Sequence, residues 1–284
     1  MFTPAIARHA LVVPFVLATL AGSALPRVSH AAPARAAVRT IVISSSRLSF
    51  PKSIPAGMLA LRLVTDGRGQ MDAGIARINP GVKMSDVRAA NAKGDFMRLT
   101  QLVTFLGGVG LGSRSTGTAI LDLRTPGRYG LHIQHGDQGP GTAILFTVTP
   151  SGAQATAPMP KANLTVNLGE TGFAGLSRTL HAGTITFKVT NHGSGVRDML
   201  LYRVDPGKTV RDMIAAMKVD ERTGKDPSWA HNVANLDVLS PQQTMRVTVS
   251  LAPGSYVALC PLPDPNKGGE ALALEGMIVP FTVV

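Results

Sequence analysis

The 284-residue chain reads as all-β, two β-sandwich domains in tandem with one short inserted helix in each. Three observations carry this reading. Apolar and β-branched residues alternate with polar ones in many short runs. Turn signals are dense, with 30 Gly and 20 Pro and no Gly-x-y period. The second half also repeats the first. The chain is 44% hydrophobic and only 16% charged, which supplies two cores and argues against disorder. A lone cysteine, Cys260, excludes an internal disulfide framework and any multi-cysteine zinc or iron–sulfur site.

Residues 1–32 read as a signal peptide. A short start ending in Arg8 precedes an apolar run from Ala10 to Ala21, and Ser29-His30-Ala31 offers a small-x-small cleavage site. The run is interrupted by Pro14 and too short to span a bilayer, and no Cys follows it to carry a lipid. The expectation is a bacterial protein exported to the periplasm, envelope or extracellular space, with no integral membrane span after cleavage.

The repeat aligns residues 56–90 with 182–216 without a gap, about a third of the positions being identical. Gly67 pairs with Gly193, Gly69 with Gly195, Asp72 with Asp198 and Arg77 with Arg203. Pro80-Gly81 pairs with Pro206-Gly207, and Asp86 with Asp212. Pro126-Gly127-Arg128-Tyr129 later matches Pro253-Gly254-Ser255-Tyr256, and each copy ends in Phe-Thr-Val at 146–148 and 281–283. The domains are expected at 37–150 and 162–284. The stretch from Pro150 to Pro160 is small, uncharged and proline-bearing, and residues 151–161 read as a linker.

Within the second copy, strands are predicted at Thr184–Thr190, Met199–Val204, Thr244–Leu251 and Ser255–Cys260. Leu59–Val64, Thr118–Leu123 and Tyr129–Gln134 play the same parts in the first copy. A helix is predicted over Thr209–Met217, with Thr209 as N-cap and Asp212 three residues on, and a shorter one over Ser85–Ala92.

These residues carry a resemblance. The order Ala182-Gly183, Asn191-x-Gly193, Leu201-x-Arg203-Val204-x-Pro206-Gly207, Pro227-x-Trp229, Leu251-x-Pro253-Gly254-x-Tyr256, Cys260-x-x-Pro263-Asp264-Pro265 and Gly276-Met277 resembles the cupredoxin-like domains of exported bacterial proteins, relatives of plastocyanin and azurin. It covers nearly all of the second half and, more weakly, the first. The resemblance implies Greek-key sandwiches and a blue copper ion held by His, Cys, His and usually Met.

Carried over by position, Cys260 and Met277 stand where the family has its Cys and Met. The first His falls at Arg197, and the second at Leu272 or Ala271. In the first copy Met71 stands at the first His position and Ile133 at that of the cysteine, so even the cysteine is missing there. An always-protonated guanidinium offers no lone pair and sets a positive charge where a cation should sit. Both copies are therefore expected to have lost the copper site. That leaves a non-enzymatic binding or scaffolding protein with no cofactor, with a groove between the domains as a place for a partner. The alternative is a copper-binding electron-transfer or copper-handling protein using Cys260 and Met277. Cys260 otherwise reads as a small hydrophobe at a strand end, or if exposed as a site for an intermolecular disulfide, and Met277 as a core filler.

Other motifs are weaker. His132 and His135 sit three apart on a strand and point to opposite faces. Asn191-His192-Gly193 reads as a turn with a polar tip, and His231 as a solvent-facing loop residue. Gly107-Gly-Val-Gly110-Leu-Gly112 reads as a flexible turn, because no helix start follows it. No Gly-x-Ser-x-Gly elbow occurs, and the 17 acidic residues leave little material for a carboxylate pair. A net charge of +11 is scattered without a basic stripe or aromatic platforms, which argues against nucleic acid and for an unknown protein or an anionic envelope polymer as partner.

Overall fold

The computed structural model describes residues 38–44, 48–66, 69–136, 141–151, 161–223, 227–264 and 267–284. The expected signal segment, nearly all of the expected linker, Gly67 and Pro265 lie outside the described residues. The described residues all belong to one unit, Arg35–Val284.

Strands form where the alternation is strongest. The first half runs β1 (Arg39–Ser44), β2 (Ser53–Pro55), β3 (Gly57–Val64), β4 (Met71–Ile78), α1 (Met84–Ala92), α2 (Phe96–Leu102), β5 (Val103–Leu111), β6 (Thr116–Leu123), β7 (Gly127–His135) and β8 (Thr142–Thr149). The second runs β9 (Leu164–Leu168), β10 (Phe173–Ala174), β11 (Thr179–Leu180), β12 (Gly183–Asn191), β13 (Arg197–Val204), α3 (Val210–Thr223), β14 (Ala230–Leu239), β15 (Thr244–Leu251), β16 (Gly254–Leu259) and β17 (Ile278–Val283). β15 has the predicted bounds, with Met245, Val247, Val249 and Leu251 all buried.

The chain is an all-β sandwich of two sheets, with the layered Greek-key arrangement that the cupredoxin resemblance implies. One sheet is ordered β1-β3-β6-β15-β12-β9-β10, the other β11-β17-β16-β13-β14-β5-β4-β7-β8-β2. From the middle outward, both orders are nearly palindromic. β3 pairs parallel with β1 and antiparallel with β6, as β12 does with β9 and β15. The halves meet strand to strand where a groove was expected. Ala119 lies opposite Val247 across β6 and β15, and Gly110 opposite Asn235 across β5 and β14. One apolar core runs between the sheets through both halves, from Leu61 and Leu121 to Phe187 and Leu201. Smaller clusters lie under the helices, with Met213 against Tyr202 and Val257 beneath α3, and Ala90 against Ile78 and Leu102 beneath α1 and α2.

Both halves place a tyrosine alike. Tyr129 Oη donates to Thr125 O at 2.6 Å and Tyr256 Oη to Ala252 O at 2.8 Å. Their rings stack on Phe146 and Phe281 at 5.5 and 5.1 Å. Gly127 and Gly254, two residues before each ring, hold φ of 154° and 151°, a region closed to most side chains.

Three expectations are corrected. The first half has two helices, because Asp95 accepts from the Arg98 N–H at 2.9 Å and caps a second one, α2. His231 is exposed but lies in β14 and pairs with Asp205 at 3.1 Å. The Gly107–Gly112 stretch belongs largely to a buried strand, β5, rather than a flexible turn. Its bareness has a local cause. Asp237 on β14 reaches across Gly108 to Gly74 on β4, and Asp72 on β4 reaches across Gly110 to Asn235 on β14. A Cβ on Gly110 would fall 1.7 Å from Asp72 Oδ1, and one on Gly108 only 2.1 Å from the Ala73 carbonyl oxygen. Glycine leaves the room in which side chains from both halves cross.

Candidate functional site

Cys260 follows β16 and is fully buried, as are Leu272 and Met277 on the loop that returns to β17. This loop closes on itself. The Cys260 N–H donates to Met277 O at 3.1 Å, Ala273 N–H to Cys260 O at 2.8 Å, and Met277 N–H to Leu272 O at 2.9 Å. The backbone N–H groups of Asp198 and Leu262 point at the sulfur, and the thiol shares a hydrogen bond with the Asp198 carboxyl. Burial pushes the Cys260 thiol well above its ordinary range, and the Asp198 charge adds to this. The sulfur is thus held as a protonated thiol. Its burial also corrects the suggestion of an intermolecular disulfide.

Arg197 opens β13 and is 5% exposed. Its guanidinium turns to the loop at 169–170. Nε donates to Gly169 O at 3.2 Å, and Nη2 to Glu170 Oε2 at 2.7 Å. Nη1 donates to Val196 O at 2.8 Å. The charge is spent on a carboxylate and carbonyls, so it does not stand at the sulfur as the sequence suggested. Next to it, Asn191 is fully buried and not the tip of a turn. Its Nδ2 donates to Gly195 O and Leu239 O, both at 2.8 Å, and its Oδ1 accepts from the Gly193 N–H. His192 is exposed and supplies no imidazole to the interior. In the first half, Met71 and Ile133 occupy the corresponding places and are buried among apolar neighbours.

Sequence reading missed a group of carboxylates on the outer side of the ten-stranded sheet. Asp198 is 4% exposed, and its Oδ1 is buried without a hydrogen-bond partner among the described residues. Burial raises it to about 7, and the charges of Asp237 and Asp72 push the same way. Asp237 is raised to about 6, by burial first and then by Asp72, while the Val238 N–H and His132 oppose the rise. Asp72 accepts from Asn235 Nδ2 at 3.0 Å and Gln70 Nε2 at 3.1 Å. The one clue in the sequence was the match of Asp72 with Asp198 in the repeat.

The donor set does not fit a blue copper ion. Such a site needs a thiolate and two imidazoles in one plane. Here one imidazole position is a guanidinium bonded elsewhere, and the other is a buried leucine. Among the described residues no three His, Cys, Asp or Glu side chains converge as metal ligands. No described helix is long and apolar enough to cross a membrane.

No family model matches the chain, and no curated protein matches it. Solved structures that resemble it include auracyanin B, at 18% identity over 45% of this chain and 93% of that one, with a TM-score of 0.32. A reduced auracyanin from Roseiflexus castenholzii resembles it at 22% identity over 44% and 99%, with a TM-score of 0.29. A multicopper oxidase from Campylobacter jejuni resembles it at 9% identity over 86% of this chain and 55% of that one, with a TM-score of 0.24. The strand order, and not these scores, defines the fold.

Proposed function

We propose that the protein is an exported, non-enzymatic binding or scaffolding protein, built from two copies of a cupredoxin-like sandwich that no longer hold copper. The observation that carries this reading is the environment of Cys260. Among the described residues no imidazole stands at either expected position: Arg197 is engaged by Gly169 and Glu170, and Leu272 is a fully buried leucine. Export is supported by the composition of residues 1–32. A protein or anionic envelope polymer as partner is supported by the net charge of +11. Arg178, Lys208 and Arg211 also stand exposed around a cleft of about 970 Å³ beside the start of α3.

The test is a Cu(II) and Cu(I) titration of the purified protein, read by visible absorbance and by metal analysis after desalting. The expected outcome is a colourless protein with no retained copper. One equivalent of copper with the intense blue of a thiolate–Cu(II) bond overturns the reading and favours the electron carrier that uses Cys260 and Met277.

A further inference from the structure

Beneath α1 and α2, on the outer side of the ten-stranded sheet, lies a cavity of about 400 Å³. That volume suits a small organic molecule. Its walls are apolar, with Met84 and Val87 from α1, Leu99 from α2, Phe105 from β5 and Leu145 from β8. Its polar lining groups are Asp237 from the second half, His132 and Gln134 from β7, and Arg88 and Asn91 from α1.

Three features distinguish this chamber from a packing gap. The floor is stripped of side chains at Gly74 and Gly130. A Cβ on Gly74 would fall 1.7 Å from Asp237 Oδ2, so the glycine is what admits the carboxylate. Asp237 Oδ1 accepts from the Val238 N–H at 2.7 Å, and Oδ2 accepts no hydrogen bond from the described residues. His132 Nε2 and Gln134 Oε1 hydrogen-bond each other at 3.3 Å, and Gln134 Nε2 donates to Gly136 O, so none of these atoms is engaged with Oδ2. Asp72 and Asp198 add negative potential to the same end, and Asp237 is in no ion pair among the described residues. An acceptor of negative charge at the end of an apolar chamber is complementary to one kind of ligand.

We propose that this chamber binds a small apolar amine, with its ammonium nitrogen on Asp237 Oδ2 and its hydrocarbon body between the α1–α2 strap and the sheet. The proposal rests on the reading of the protein as a binding module and gives it a site and a ligand class. The charged and titratable groups around Asp237 are Asp72 from β4, His132 from β7 and Asp198 from β13, and Arg88 of α1, itself exposed, also lines the chamber. Only the ionised carboxylate attracts an ammonium, so affinity should fall as pH drops through about 6, where Asp237 takes up its proton.

The test is calorimetric titration of the full chain with three probes of one shape: 2-phenylethylamine, 2-phenylethanol and 3-phenylpropionate. At about pH 8 the amine should bind at one site about tenfold or more tightly than the alcohol, the ratio of one charge-assisted hydrogen bond, and the acid more weakly still. Asp237→Asn should bring the amine down to the level of the alcohol. Gly130→Leu should abolish binding of all three, since only Leu145 lies near its Cβ position, at 3.8 Å, and the new side chain fills the chamber. Equal affinity for amine and alcohol on the unaltered protein, or no saturable binding at all, overturns the proposal whether or not the variants fold. The copper titration on the same preparation is read separately, so loss of the amine site leaves the copper-free reading standing, and the reverse also holds.

Discussion

The two halves of the molecule share one backbone plan and differ in what they bury. β4 and β13 begin at repeat-matched positions, Met71 and Arg197. Met71 and Ile133 join an apolar core in the first half. At the corresponding places the second half buries a guanidinium and a thiol, with an acid beside them. Similar strand order thus tolerates very different interior chemistry, provided each buried polar group finds partners. The second half meets that condition in part: Gly169, Glu170 and Val196 engage Arg197 and the Cys260 thiol faces Asp198, whose Oδ1 is left without a hydrogen-bond partner among the described residues.

The sharpest way to break the comparison is to exchange the two first residues. Met71→Arg places a guanidinium where no counterpart of Glu170 is provided, and should cost more than about 4 kcal/mol in denaturant unfolding. A milder loss would mean that the first half can also recruit partners for a charge.

Asp198 should make stability depend on pH through the second half. Its folded-state value of about 7 lies above the ordinary 3.8, so the native protein keeps a proton that the unfolded chain has lost. Stability should therefore fall as pH rises from about 4 to 7 and level off above. Asp198→Asn should remove up to about 4 kcal/mol of that fall, as measured by denaturant midpoints across the range. The shift of Asp237 in the same direction, ending near 6, should leave a smaller slope in the variant.

Arg197→Met is the reciprocal exchange and should cost about 2 kcal/mol in the same assay. Glu170, 58% exposed, can rehydrate, whereas the carbonyls of Gly169 and Val196 lose their donor. The smallest effect tests likeness rather than difference. Tyr129→Phe and Tyr256→Phe should each cost about 1 kcal/mol, with equal shifts in thermal midpoint. Unequal shifts would show that the two turns carry different loads.

Much of this plan is legible in the sequence. Alternation places β12 and β15, and the capping pair at Thr209 and Asp212 is formed, with Thr209 N–H to Asp212 Oδ2 at 2.8 Å. The repeat and the resemblance single out Arg197, Leu272 and Met277. The orientation of the guanidinium is not legible, because its partner Glu170 belongs to a loop with no local signature. β5 does not read as a strand because glycine has low strand propensity, and the reason for its glycines lies in Asp72 and Asp237, on neighbouring strands distant in sequence. α2 is only seven residues long and has too few turns to show a period. The carboxylate group joins three strands from two halves, and pairing of that kind leaves no periodic trace.

The palindromic strand order also bears on self-association. Each half brings one long strand per sheet, β5 or β14 and β6 or β15, to the middle of the molecule, where they satisfy each other. At the outer ends of the described sheets stand β1, with six residues, and β2, β10 and β11, with three or two residues each and a proline closing β2. Short terminal strands offer few free amide and carbonyl groups on which another chain could template itself. Pairing the inner strands of one half with those of the other closes, within the chain, edges that would otherwise stand open to a second molecule.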